Sequence, residues 1–111
     1  MKLEDTLQNN WNRQEEIYNL DARYDARQSF YGKAKVKVSE DNISISYMLY
    51  SYDTLVAIYT EDKTSGLKQY NYLGKYSQTT TRHQKEFFKQ FGLGDREIKE
   101  LFKNGTLEIE R

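Results

Sequence analysis

The constraint that leaves this chain least freedom is the two-residue period of KAKVKVSEDNISISYML, Lys33 to Leu49. Ala34, Val36 and Val38 fall on one side and Lys33, Lys35 and Lys37 on the other, as in a strand with one buried face. Glu40-Asp41-Asn42 supplies a turn, after which Ile43, Ile45, Tyr47 and Leu49 alternate with Ser44 and Ser46. Residues 33 to 49 therefore predict an antiparallel hairpin. In the following YSYDTLVAIYTED, Val56 and Ile58 have the opposite parity, so a bulge, bend or tight connection is expected within Ser51 to Thr54. Glu61 to Gly66 reads as a polar turn, and LKQYNYLGKY as a further strand that ends before Ser77.

On either side of this sheet the period lengthens. Leu3, Leu7 and Trp11 are four apart and predict a short amphipathic N-terminal helix, opposed by the poor helix formers Asn9, Asn10 and Asn12. In YSQTTTRHQKEFFKQFGL, Ser77 or Thr79 can cap a helix whose stripe of His83, Phe87 and Phe91, with Phe88 beside it, faces the sheet. Gly92 ends that helix, and Asp95 can start a second, REIKELFK, which Asn104-Gly105 stops. The final TLEIE is a short edge strand or a tail. The expectation is an α+β fold in one domain, residues 1–111. It comprises a helical or irregular segment 1–20, a small antiparallel sheet of three to four strands over 33–75, and packing helices over 77–104.

Composition narrows the function more than it defines it. A chain of 111 residues holds one core. Seventeen basic residues balance seventeen acidic ones, so only local patches can attract nucleic acid or anionic membranes. Without cysteine, a disulfide framework and a thiolate zinc site are excluded. No apolar run approaches membrane-spanning length and no leader pattern is present, which predicts a soluble cytoplasmic protein. Ten tyrosines supply rings for a core and polar tips for a hydrogen-bonding surface.

Candidate chemistry gathers in two stretches. His83 is the only imidazole; on a phenylalanine stripe it reads as a structural residue bonded to a carbonyl or hydroxyl rather than a catalytic base. His83 with Glu86 is half of a ligand pair that nothing completes, and Glu97-x-Lys99 lacks a placed partner aspartate, so neither metal nor cofactor is expected. Thr79, Thr80 and Thr81, with Arg82 next, can cap the helix or hold an anion at its start. Arg82, Lys85 and Lys89 share a helix face that is either solvated or a phosphate-contacting surface. RYDARQSFYGKA brings Arg23, Arg27 and Tyr31 into a polar network or a recognition surface, and Tyr52 joins the tyrosines able to stack on bases.

Three motifs, Tyr24-Asp25-x-Arg27-x-Ser29-Phe30-Tyr31, Ser51-Tyr52-x-Thr54-x-Val56-Ala57 and Tyr76-Ser77-x-Thr79-Thr80-x-Arg82-His83, resemble in order and spacing those of a family of small proteins encoded by phages and prophages of Gram-positive bacteria. The resemblance covers roughly residues 17 to 91 and implies a domain of unknown function with no assigned catalytic residue. Small phage proteins without cofactors commonly act by binding a host machine, so from class rather than from any motif the expectation is binding rather than catalysis, in the host bacterial cytoplasm, by a monomer or homodimer. The partner is a host protein or protein–nucleic-acid complex, a bacterial defence nuclease such as a CRISPR effector being the fitting class. The competing expectation is an accessory protein that binds nucleic acid directly through the basic helix and the tyrosines.

Overall fold

The computed structural model describes residues 14–26 and 30–110. Strands β1 (Gln14–Asn19), β2 (Ala34–Glu40), β3 (Ser44–Ser51), β4 (Thr54–Asp62) and β5 (Lys68–Tyr72) run up and down in chain order. The chain then crosses one face of the sheet as helices α1 (Gln78–Gln90) and α2 (Asp95–Asn104) and returns as β6 (Thr106–Ile109) beside β5. Every neighbouring pair is antiparallel. Among the described residues no helix is long and apolar enough to cross a membrane.

The expected three to four strands are thus six among the described residues, and where an N-terminal helix was expected, residues 14–19 are a strand. Leu3, Leu7 and Trp11 lie outside the described residues. QEEIYN has no apolar face at either period, and Ile17 is 67% exposed. What makes it a strand is β2, whose backbone donors and acceptors it pairs from Gln14↔Glu40 to Asn19↔Lys35. Tertiary hydrogen bonding outweighs the helical preference of Gln and Glu. At the far side β6 turns Leu107 and Ile109 toward the helices, making TLEIE an edge strand rather than a tail.

The predicted hairpin forms with both apolar sets on one face: Val36 lies opposite Leu49 and Val38 opposite Tyr47. The parity reversal downstream comes from the turn, and a bulge cancels it a few residues later. A two-residue turn at Tyr52-Asp53 brings Ser51 opposite Thr54, and the register then slips so that Leu49 faces Ala57 rather than Val56. This bulge leaves Val56 as an extra residue and buries it beside Ala57. Ile58 consequently faces away from the helices, while Tyr59 faces them.

The helix-facing side of the sheet is floored by tyrosines. Tyr47 and Tyr59 each hold the Phe91 ring at a centroid distance of 4.5 Å, Tyr72 stacks on Phe102 at 4.1 Å, and the Tyr70 hydroxyl donates to the Phe91 carbonyl at 2.8 Å. Burial raises the Tyr70 phenol to about 12, with the Glu97 and Glu61 carboxylates adding to the effect. Phe87 and Phe88 from α1, with Ile98 and Leu101 from α2, complete the core. Ser77 caps α1 by accepting the Thr80 N–H, and Glu97 accepts the Gly94 N–H at the start of α2. Gly105, at φ 84°, supplies the left-handed residue that ends α2.

Candidate functional site

Two turns of the same kind stand side by side at one end of the sheet. In Phe30-Tyr31-Gly32-Lys33 both central residues have positive φ, 54° and 73°, and the Lys33 N–H donates to the Phe30 carbonyl. In Ser51-Tyr52-Asp53-Thr54 the central φ values are 51° and 71°. Such turns ordinarily carry Asn-Gly or Gly-Gly, because a β-carbon is disfavoured in the left-handed region. Here each carries a tyrosine in its first central position. The Tyr52 N–H donates to the Lys33 carbonyl and ties the two turns together. The tyrosines are 81% (Tyr31) and 53% (Tyr52) exposed, so this backbone conformation is not repaid by burial.

Beneath both turns lies His83, 1% exposed. The first residue of each turn touches it: the Phe30 ring packs edge-on at 4.6 Å, and Ser51 Oγ lies 2.8 Å from His83 Nδ1. Ser51 Oγ is also 2.9 Å from Thr80 Oγ1, so imidazole and two hydroxyls form a buried chain between the hairpin and α1. Burial is the main cause that lowers the His83 pKa; Arg82 adds to this and Asp25 opposes it. With Ser51 itself only 2% exposed, the pair is a fastening rather than an open nucleophile.

The helix cations are less free than their spacing suggests. Arg82 makes a bidentate pair with Asp25 at 2.9 and 3.0 Å and lies over the Phe30 ring, and Lys89 is 3.4 Å from Asp95. Lys85 is exposed beside Tyr24 and Asp25. Arg23 is exposed, and its backbone N–H, with that of Tyr24, donates to the buried Glu86 carboxylate at 3.1 and 2.8 Å; Gln90 donates to the same group. Glu86 and Arg82 therefore fasten the segment after β1 to α1. Arg27 lies outside the described residues.

The three threonines separate. Thr80 is buried against Ser51, Thr81 Oγ1 donates to the Ser77 carbonyl, and Thr79 lines a cleft. That cleft, of about 300 Å³, is bounded by Tyr31, Lys33, Tyr52, Thr79 and Arg82 with His83 at its base. Among the described residues no group of three or more histidine, aspartate or glutamate side chains is placed to hold a metal ion.

Sequence reasoning missed Ser51, Asp25, Glu86 and Lys33 as parts of this arrangement. The available signal was the motifs themselves. Phe30 and Tyr31 come from the first, Tyr52 from the second, Thr79, Arg82 and His83 from the third, and all border or floor the same cleft, with Ser51 of the second bonded to His83 beneath it.

The protein is thus a meandering antiparallel sheet covered on one side by two helices, with its three motifs assembled at one end. The family model described as "Family of unknown function (DUF8033)" matches residues 18–104, and the chain belongs to that family. Among curated proteins and among solved structures, no match to the chain was found.

Proposed function

We propose that this chain is a phage-encoded accessory protein that works without catalysis, by binding a host macromolecule through the face formed by Tyr31, Tyr52 and the cleft between them. The observation that carries the reading is the assembly of the three motifs under two exposed tyrosines held in a disfavoured backbone conformation. Strain of about 1–3 kcal/mol per such residue persists where the surroundings enforce it, which is typical of functional positions. Exposed tyrosines beside an arginine are also the residue types enriched at binding hot spots.

The target class that suits this reading is a bacterial defence nuclease of the CRISPR type, met in the host cytoplasm. Support for the phage setting is the motif resemblance. The alternative reading, nucleic-acid binding by the helix face Arg82, Lys85 and Lys89, is weakened by the carboxylate partners of Arg82 and Lys89.

The test is protection of phage DNA in cells carrying an active CRISPR effector, with a stoichiometric complex between the purified effector and this protein. Tyr52→Asn combined with Asp53→Gly installs the favoured turn sequence, so it should raise stability by about 1 kcal/mol while abolishing both readouts. Wild-type protein that neither protects nor binds would sink the proposal. A turn variant that still does both would remove Tyr52 from the contact surface.

A further inference from the structure

Lys33 and Tyr52 border a second cleft as well as the first. It measures about 270 Å³ and opens on the side of the sheet away from the helices, where Lys35 and Tyr50 are cross-strand neighbours. The two clefts form a strip across the end of the sheet with Tyr31, Tyr52 and Tyr50 along it, Lys33 beside Tyr52 and Lys35 across from Tyr50. Among the described residues the one carboxylate bordering either cleft is Asp53. This strip differs from the helix face of Arg82, Lys85 and Lys89, since neither Lys33 nor Lys35 is within salt-bridge distance of a described carboxylate.

We infer that the strip is a binding site for single-stranded nucleic acid, with bases against Tyr31, Tyr52 and Tyr50 and backbone phosphates on Lys33 and Lys35. The centre of the strip decides between partner classes. Protein interfaces concentrate aromatic residues in an apolar centre from which lysine is depleted, whereas aromatic faces alternating with cations are what a flexible polyanion of planar groups requires. Each tyrosine offers a face to a base of any sequence, so the site is sequence-tolerant. The tied turns fix the backbone that carries two of the rings before binding, which reduces the ordering cost on the protein side. The inference rests on the reading that this face is the contact surface, and it specifies what that surface touches: an exposed strand, such as one displayed by a nuclease complex.

The experiment is fluorescence anisotropy of labelled 12-nucleotide oligo(dT) and oligo(U) with the full chain over a salt series. Binding should weaken with salt, and Lys33→Ala with Lys35→Ala should reduce the slope of log affinity against log salt by about 1.4. Tyr31→Ala or Tyr52→Ala should weaken binding roughly 5- to 100-fold, while the matching Phe variants retain it because the ring face is kept. Lys99→Ala, on α2, should leave affinity unchanged. All four strip residues substituted are exposed or half-exposed at the surface, and unaltered thermal melts separate a contact effect from unfolding.

Wild-type protein that shows no anisotropy change at low salt overturns the inference, as does binding indifferent to both the lysine and the tyrosine variants. Loss of effector binding in Tyr31→Ala and Tyr52→Ala without any oligonucleotide binding would make the strip a protein-docking face, overturning this inference while sparing the proposed function. Oligonucleotide binding without phage protection would do the reverse.

Discussion

At the scale of single residues, His83 shows how one side chain can organise a surface without forming part of an open active site. Its imidazole is packed between Phe30 and the Ser51–Thr80 hydroxyl pair, and burial holds its pKa below the usual 6.5. The unfolded chain accepts a proton near pH 6.5 that the folded chain resists. The contribution is therefore complete above that pH, declines as pH falls toward the depressed folded value, and is flat below it. His83→Gln, which does not titrate, should show a stability deficit against wild type that shrinks between pH 7.5 and pH 5. Urea midpoints for the two proteins across this window measure it; a deficit that stays constant would contradict a neutral buried imidazole. The residue type and its helical stripe were legible in the sequence. Its Ser51 partner was not, because a spacing of 32 residues carries no local signal.

At the scale of elements, α1 does two jobs with two rows of side chains. Phe87 and Phe88 bind it to the tyrosine floor of the sheet, and Arg82, Glu86 and Gln90 hold the segment that follows β1. Gln90 donates to the Asp21 carbonyl as well as to Glu86, so the segment is gripped at several points. Glu86→Gln removes one charged acceptor from the Arg23 and Tyr24 N–H groups, a loss of about 1.5–3 kcal/mol in local stability. Tryptic cleavage after Arg23, followed by mass spectrometry, should accelerate well before the sheet melts. Cleavage at the wild-type rate would mean that Glu86 is not what holds the segment. Spacing alone suggested a basic helix face here; the carboxylates that neutralise part of it are Asp25, 57 positions from Arg82, and Asp95 at the start of α2.

At the scale of the whole molecule, one aromatic core joins both helices to the central strands, so its loss should be felt globally. Phe87 is fully buried, and Phe87→Ala should cost about 3–5 kcal/mol. Domains of this size have about 5–15 kcal/mol in total. Denaturation followed by circular dichroism should show one transition at a much lower midpoint, with the strand and helix signals moving together. Two separated transitions would show that the helices and sheet are energetically independent.

The sequence by itself determined the elements whose apolar residues repeat with the backbone's own period: the central hairpin, the helix begun at Ser77 or Thr79 and the shorter helix ending at Gly105. It also marked the parity break, though not how turn and bulge divide it. Only the tertiary structure decided that QEEIYN is a strand, since that segment follows the open hydrogen bonds of β2 rather than a pattern of its own. It alone sorted the tyrosines, sending Tyr47, Tyr59, Tyr70 and Tyr72 to the helix-facing floor and leaving Tyr31 and Tyr52 outside. Periodicity encodes which face of an element is buried. Which distant faces meet is fixed by strand register and by where a helix crosses the sheet, and here those two choices bring three separate motifs to one cleft.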